Sequence, residues 1–263
     1  MNHRHTLRSI DVRDIYHQEY FLQRVDGYDR FAQFDGTTKT LFERARRNLE
    51  LLDIHPGEYF LDLGCGRGEV AIAAGFIGAI AVGCDFSHDA IVLAQQKMRS
   101  IEQNSGRNIR TSFMCAIATE NMFRPNSFDK VLMSEFIEHV SPQERDVILR
   151  NVRRWLKPGG KVLIYTFPNR WSRYTYPLMR WYVRIRNGVD MGERPDDTTH
   201  PDYTKYHLNE QSYFSLYFAL RRAGFREVHV WFDSHSSGRF SIIKRTFLYN
   251  LLFGSNLTGV GIK

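Results

Sequence analysis

The sequence predicts an α/β fold, a mostly parallel sheet with helices on both faces. Short apolar runs alternate along the chain with longer amphipathic ones, and that alternation is the pattern of parallel strands joined by helical crossovers. The stretch LDLGCGRGEV, Leu61 to Val70, sets three glycines directly after an apolar run. Farther on, Ser141-Pro142-Gln143-Glu144 is a capping box with proline at the first helical position.

Residues 1–55 read as a helical, cap-like segment with aromatics Tyr16, Tyr20, Phe21, Tyr28, Phe31 and Phe34, and the alternating domain occupies 56–263. Tyr59 to Leu63 is a short apolar strand. Glu69 to Phe76 is helical, with Gly78 as its stop. Ile80 to Cys84 is a second strand, ending at Asp85, and Ser87 opens a helix with Ala90, Ile91, Ala94 and Met98 at helical spacing. Thr111 to Ala116 and Lys130 to Ser134 are the third and fourth strands. The capping box starts a helix that runs to Leu156, and Lys157-Pro158-Gly159-Gly160 turns the chain into a fifth strand, Lys161 to Thr166. Asn209 to Ala223 reads as a helix stopped by Gly224. Val228 to Phe232 and Leu257 to Ile262 are the last strands. In such sheets a ligand sits beyond the carboxyl ends of the strands, where strand order switches. Gly64 to Gly68, Asp85, Ile117 and Ser134 all fall at such ends.

Composition narrows the field less. A length of 263 residues suits one domain with insertions or a domain with a cap. With 36 Lys+Arg against 29 Asp+Glu, the net charge of +7 leans weakly toward anionic partners. Three cysteines are too few and too odd in number for a disulfide framework, so a reducing, cytoplasmic setting is expected. The N-terminal MNHRHTLRSIDVRD contains no apolar core of a signal peptide. The longest uncharged apolar run, Val70 to Cys84, is 15 residues with three glycines, too short and too broken to span a bilayer. The histidines are scattered and no Cys-x-x-Cys occurs, so no metal is expected.

A glycine loop lets backbone approach a ligand closely. A dinucleotide site wants Gly-x-Gly-x-x-Gly, and a phosphate loop wants Gly-Lys-Ser/Thr. Here the spacing is Gly-x-Gly-x-Gly and that lysine is absent. Asp62 and Glu69 flank the loop and would repel a phosphate but welcome a cation. Asp85, 19 residues after Gly66, stands where an acid grips a ribose diol. A ribose plus a positive charge, without phosphates, describes S-adenosyl-L-methionine.

These residues resemble those of the class I S-adenosylmethionine-dependent methyltransferases. The resemblance rests on LDLGCGRGEV, on AVGCDFS at Ala81 to Ser87, on SFDKVLMSEFIEHV at Ser127 to Val140 and on LKPGGKVLIYT at Leu156 to Thr166, in order from Tyr59 to Thr166. It implies a Rossmann-like fold of seven strands, mostly parallel with the last antiparallel, and a helical cap over the acceptor pocket. The terminal NLTGVGIK suits the antiparallel strand. It implies that Gly64, Cys65 and Gly66 pass under the methionine and ribose of the cofactor, with Asp62 beside them. Asp85 would take the ribose hydroxyls, and Phe86 would lie against the adenine. Ser134 and Glu135 would border the methyl end. Where relatives often carry an aspartate for the adenine amino group, this chain has Ile117, which leaves backbone groups of Ile117 and Ala118 for the ring edge. The product would be S-adenosyl-L-homocysteine.

Methyl transfer from a sulfonium needs little beyond alignment and exclusion of water, and alignment can supply roughly 7–11 kcal/mol. A hydroxyl or amine acceptor also needs a proton removed, which favours a histidine or carboxylate. Free imidazole titrates near 6.5, so a neutral base is present near neutral pH. His139, His207, ahead of the helix at Asn209, and Glu138, as a base or an orienter of His139, are the candidate catalytic residues. The bland alternatives are a helix-opening histidine, a capping histidine and a structural glutamate. Asn169, Arg170 and Tyr203 are the candidate acceptor-binding residues.

The insert at about 168–208 would cover the acceptor pocket. Between Asn169 and Val189 it holds five arginines interleaved with aromatics and no acid, and Leu178, Trp181, Tyr182 and Ile185 share a helix face. Three readings stay open. The segment could be a cap with solvated arginines, a site for an anionic or lipid-linked small acceptor with peripheral membrane contact, or an RNA contact. The fourth strand ends SEFIEH rather than in the Asn-Pro-Pro-Tyr type motif of many base N-methyltransferases, so nucleic acid is the weaker rival. The expected function is O-methylation of a metabolite, glycan or lipid-linked intermediate. RNA methylation and N- or C-methylation of a small molecule are the alternatives, and a non-catalytic cofactor-binding module ranks last.

Overall fold

The protein was analysed as a computed structural model that describes residues 28–192, 207–233 and 256–263, together with residues 21, 247, 250, 251 and 254. Tyr16, Tyr20 and Tyr203 lie outside the described residues, as does the second half of the insert from 193 to 206. Among the described residues, helices α1 (Tyr28–Gln33) and α2 (Glu43–Leu52) precede the sheet. The alternating part then runs β1 (Tyr59–Leu63), α3 (Glu69–Ile77), β2 (Ile80–Asp85), α4 (His88–Ser105), β3 (Thr111–Cys115) and β4 (Phe128–Ser134). A single 3-10 turn, Ile137–His139, leads into α5 (Pro142–Trp155) and β5 (Leu156–Thr166). It continues with α6 (Ser172–Asn187), α7 (Tyr213–Arg222), β6 (Glu227–Phe232) and β7 (Leu257–Ile262).

The seven strands form one sheet in the order β3-β2-β1-β4-β5-β7-β6. Strands β1 to β5 pair in parallel, and β7 is antiparallel to both β5 and β6. The antiparallel last strand implied by the sequence is therefore present. The chain steps outward from β1 to β3, then returns to place β4 on the other side of β1. That reversal opens a crevice at the carboxyl ends of β1 and β4, the usual ligand position in such sheets. Asp62 sits at this centre, paired with Gly83 on one side and Leu132 on the other.

Two apolar layers hold the sheet. One face packs Ile148, Leu149, Val152 and Trp155 of α5 with Leu216, Ala219 and Leu220 of α7. The other packs Leu49 and Leu52 of α2 with Ile72, Ala73 and Ala74 of α3 and Ile101 of α4. In β4, Val131, Leu132 and Met133 are all fully buried, as expected of a central strand covered on both sides. The capping box is formed. Ser141 Oγ accepts from the Glu144 N–H at 3.2 Å, and Glu144 Oε2 accepts from the Ser141 N–H at 2.8 Å.

Three boundaries differ from the sequence expectation. The fourth and fifth strands start early, at Phe128 and Leu156 rather than Lys130 and Lys161, because Phe128 pairs with Leu156 ahead of a register shift, so Lys157 to Gly160 lie within β5 instead of forming a separate turn. The helix anticipated from Asn209 begins only at Tyr213, with Ser212 as its cap. The Asn209 N–H is spent instead on the carbonyl of Glu138 at 3.0 Å, and this tie holds the preceding segment in extended form against the 3-10 turn.

Candidate functional site

After β1 the chain tightens into the glycine loop. The N–H groups of Gly64 and Cys65 both reach the carbonyl of Cys84, at 2.8 and 3.0 Å, so the loop is pinned to the end of β2. Gly64, Gly66 and Gly68 have φ of 79°, 50° and 82°, the left-handed region that only glycine occupies without strain. Their surroundings differ. A Cβ on Gly64 would lie 2.6 Å from the Phe136 ring, and one on Gly68 would lie 2.6 Å from Phe113. On Gly66 the nearest of the described residues would be Phe21, at 3.8 Å. The outer glycines thus make room for the protein's own aromatics, and Gly66 alone turns an open face outward.

Asp85 closes this corner. Its Oδ2 accepts from the Gly66 N–H and its Oδ1 from the Ser87 N–H, each at 2.9 Å. Burial pushes the carboxyl up, opposed by those backbone donors. Asp62 lies behind, buried, and its carboxyl is pushed up to about 7, first by burial and then by the carboxylates of Glu69 and Asp85. Glu69 is paired with the buried Arg67 at 2.9 Å. Arg67 also donates to the carbonyl of Phe21 at 3.2 Å and stands 4.8 Å from the Phe31 ring centre, which fastens residue 21 beside the loop. A cluster of carboxylates at the loop favours a positively charged ligand and repels a phosphate. Hydroxyls could still reach the remaining lone pairs of Asp85. The residues present therefore fit a cationic, ribose-bearing cofactor.

Phe86 is half-buried at the end of β2, and its carbonyl accepts from the Cys115 thiol at 3.2 Å. Beyond β3, Ile117 is exposed and Ala118 buried, and the Ile117 carbonyl accepts from the Glu120 N–H at 2.9 Å. Burial pushes the Cys65 thiol well up and that of Cys84 to about 12, so neither offers a thiolate near neutral pH.

The end of β4 is gripped by α2. Asn48, fully buried, donates to Ser134 Oγ at 3.1 Å, and Arg44 pairs with Glu135 at 2.6 Å. Glu135 takes a left-handed φ of 50°, and its N–H donates to the Tyr165 carbonyl at 2.8 Å. Arg47 pairs with the buried Asp233 at 2.6 Å, and Asp233 also accepts from Thr258 Oγ1. Arg44, Arg47 and Asn48 are spaced as one helix face. This anchoring was not anticipated from sequence. Its signal was there in ERARRNLELL, polar residues at helical spacing opposite an apolar stripe.

The two candidate histidines meet. The rings of His139 and His207 are edge to face, with centroids 4.8 Å apart. Asn209 brings them together, since its Nδ2 donates to the Ile137 carbonyl at 3.4 Å beside the backbone tie to Glu138. Glu138 itself is fully buried and turned toward β5. Its Oε2 accepts from Thr166 Oγ1 at 2.9 Å and its Oε1 from the Phe167 N–H at 3.5 Å. Burial, and secondarily Glu135, push its carboxyl up to about 8. These two bonds join the turn after β4 to the end of β5.

Of the acceptor-binding candidates, Asn169 is fully buried and internally used. Its Nδ2 donates to the Gly254 carbonyl at 2.9 Å, and its Oδ1 accepts from the Trp171 N–H at 3.3 Å. The Arg170 side chain is exposed, while its N–H donates to the Gln211 carbonyl at 2.8 Å. Among the described residues no group of three or more His, Cys, Asp or Glu could hold a metal ion.

Residues 61–164 match a family described as a methyltransferase domain. The phosphoethanolamine N-methyltransferase 3 of Arabidopsis thaliana is 33% identical over 188 residues, which are 71% of this chain and 32% of that protein. A ubiquinone biosynthesis O-methyltransferase of Coxiella burnetii is 29% identical over 126 residues, 47% of this chain and 49% of that one. This chain thus spans less than half the length of either relative. The Haemonchus contortus phosphoethanolamine N-methyltransferase 2 in complex with S-adenosyl-L-methionine superposes with a TM-score of 0.59 at 20% identity, covering 97% of this chain and 60% of that one. At that identity the likeness is one of fold.

Proposed function

Since this chain carries a methyltransferase domain of the class I S-adenosylmethionine-dependent family, we propose that it moves a methyl group from S-adenosyl-L-methionine to a hydroxyl of a small acceptor, anionic or lipid-linked. The observation that carries the reading is the open face of Gly66, whose N–H is held by the buried carboxylate of Asp85. When bound, the cofactor supplies a methyl group already activated on a positively charged sulfur.

The chain's own residues do the rest. Asp85, held by two backbone donors, accepts from the ribose hydroxyls. The Asp62 carboxylate favours the cofactor's positive charge, and Phe86, Ile117 and Ala118 border the adenine. Ser134 and Glu135 stand at the methyl end, braced by Asn48 and Arg44. At the acceptor, His139 or His207 removes the hydroxyl proton, and the support for this is that the two rings meet at one mouth of the fold. Arg170, Asn169 and Tyr203 are the acceptor-side candidates, and Arg170 alone of the first two has an exposed side chain. A reducing, cytoplasmic setting belongs to the same reading, supported by Cys65, Cys84 and Cys115 being free thiols. No helix among the described residues is long and apolar enough to cross a membrane.

A second reading is N-methylation of an amine, favoured by the 33% identity to the plant phosphoethanolamine enzyme. Calorimetric titration tests the cofactor, with one S-adenosyl-L-homocysteine site per chain as the expected result. Tight NAD binding with no response to S-adenosyl-L-homocysteine would sink it. Release of S-adenosyl-L-homocysteine with catechol against phosphoethanolamine then separates oxygen from nitrogen methylation.

A further inference from the structure

Helix α6 follows β5 at the same end of the sheet as the glycine loop, and it buries none of its side chains. Tyr174, Leu178, Trp181, Tyr182 and Ile185 recur at helical spacing and are between 50% and 71% exposed, and Val189, 58% exposed, follows just past the Gly188 cap. Eight of the 14 exposed large hydrophobics among the described residues lie between Trp171 and Met191. Single exposed apolar residues need no explanation, but a contiguous stripe of them does.

The charges on the same helix are one-sided. Ser172–Asn187 contains Arg173, Arg180, Arg184 and Arg186 and no acid. Three of these have acidic partners off the helix: Arg173 meets Glu210 at 3.1 Å, Arg180 grips Asp190 through Nε at 2.6 Å and Nη2 at 2.9 Å, and Arg184 stands 4.0 Å from the same Asp190, while Arg186 donates to the Tyr182 hydroxyl at 2.8 Å. Advancing 100° per residue puts Arg173, Arg180 and Arg184 along one flank of the apolar stripe and Arg186 along the other.

We propose that the exposed face of α6 binds the surface of an anionic lipid bilayer. Leu178 and Ile185 would enter the acyl boundary, and tryptophan and tyrosine would sit at the headgroup level. The arginines would reach up to the phosphates on their apolar stems. A second copy of the chain fits less well, because two such helices would set arginines against arginines. Single-stranded nucleic acid would use the arginines and rings but has no use for Leu178, Ile185 and Val189. The Arg173–Glu210 pair joins α6 to the extended segment that carries His207, so membrane docking would lay the bilayer beside the histidine pair. Membrane binding would hold whichever acceptor the site takes.

Flotation of the whole chain with vesicles tests this. Phosphatidylglycerol-containing vesicles should carry the protein at low salt, pure phosphatidylcholine should carry little, and added salt should release it. The variant Arg184→Gln/Arg186→Gln should lower partitioning about 30-fold, which is about 2 kcal/mol at about 1 kcal/mol per arginine near an anionic surface. Trp181→Ser/Ile185→Ser should also lose the anionic vesicles. Affinity for S-adenosyl-L-homocysteine, measured on the same samples, should stay unchanged and separates this surface from the cofactor site. The proposal is overturned if the wild type ignores anionic vesicles at low salt, or if both variants float as it does. It is equally overturned if the variants instead abolish a dimer or the binding of a single-stranded RNA oligonucleotide while vesicles are ignored.

Discussion

Replacing Glu138 by glutamine should make the protein more stable at pH 8 and leave it nearly unchanged at pH 5. The side chain is fully buried, and its two oxygens accept from Thr166 Oγ1 and the Phe167 N–H. Burial first, and the Glu135 carboxylate next, push its carboxyl from 4.5 to about 8. A folded value above the unfolded one means that folding takes up a proton. The contribution is full below pH 4.5 and is lost as pH rises through 8. Inside that window stability falls by about 1.4 kcal/mol per pH unit, so about 3 kcal/mol disappears between pH 5 and pH 8. Glutamine has the same shape, one carbonyl to accept and an amide to donate toward the Thr166 hydroxyl, and it carries no charge to bury. The difference between variant and wild type should therefore grow from near zero at pH 5 to about 3 kcal/mol at pH 8. Asp62, also pushed up, titrates in both proteins and cancels. Guanidinium unfolding at four pH values, with slopes checked for equality, measures this difference. A constant difference across the range would refute the reasoning, because Glu138 would then be ionised throughout and its pocket wetter than the structure has it.

Asp85→Ala should weaken S-adenosyl-L-homocysteine by about 100-fold, two charge-assisted hydrogen bonds at about 1.5 kcal/mol each. Calorimetry reads this, and unchanged affinity would remove Asp85 from the site. His139→Ala or His207→Ala should slow single-turnover methyl transfer to a hydroxyl acceptor by roughly 10²–10⁴ with cofactor affinity intact. If both variants keep near-normal rates, the acceptor ionises without help and catalysis rests on alignment. Gly64→Ala should cost about 1–3 kcal/mol of stability because its Cβ meets the Phe136 ring at 2.6 Å. Gly66→Ala, facing open space, should keep more stability and lose cofactor affinity instead, as thermal shifts with and without S-adenosyl-L-homocysteine would report.

Much of the fold was legible because its signals are local. Tyr59–Leu63 and Leu257–Ile262 begin and end where the apolar runs do, and Pro142 starts its helix where the capping box puts it. Helix α7 was misjudged at its start because Asn209 can cap a helix or tie down a neighbour, and only the nearness of Glu138 decides between the two. Asn169 shows the same limit from the other side. Its type and place suit an acceptor contact, but its amide is consumed by Gly254 and Trp171, partners that no spacing reveals.

The sequence by itself determined the parallel sheet, the glycine loop, the acid at the end of β2 and the basic, amphipathic character of α6, because backbone dihedrals, caps and side-chain periodicity are properties of neighbouring residues. Only the tertiary structure decided that His139 meets His207, that Arg44, Arg47 and Asn48 of α2 brace the ends of β4 and β6, and that the apolar stripe of α6 faces outward. Periodicity names the face a helix offers, but what that face meets depends on the path of the whole chain and on which burial the rest of the core has already taken.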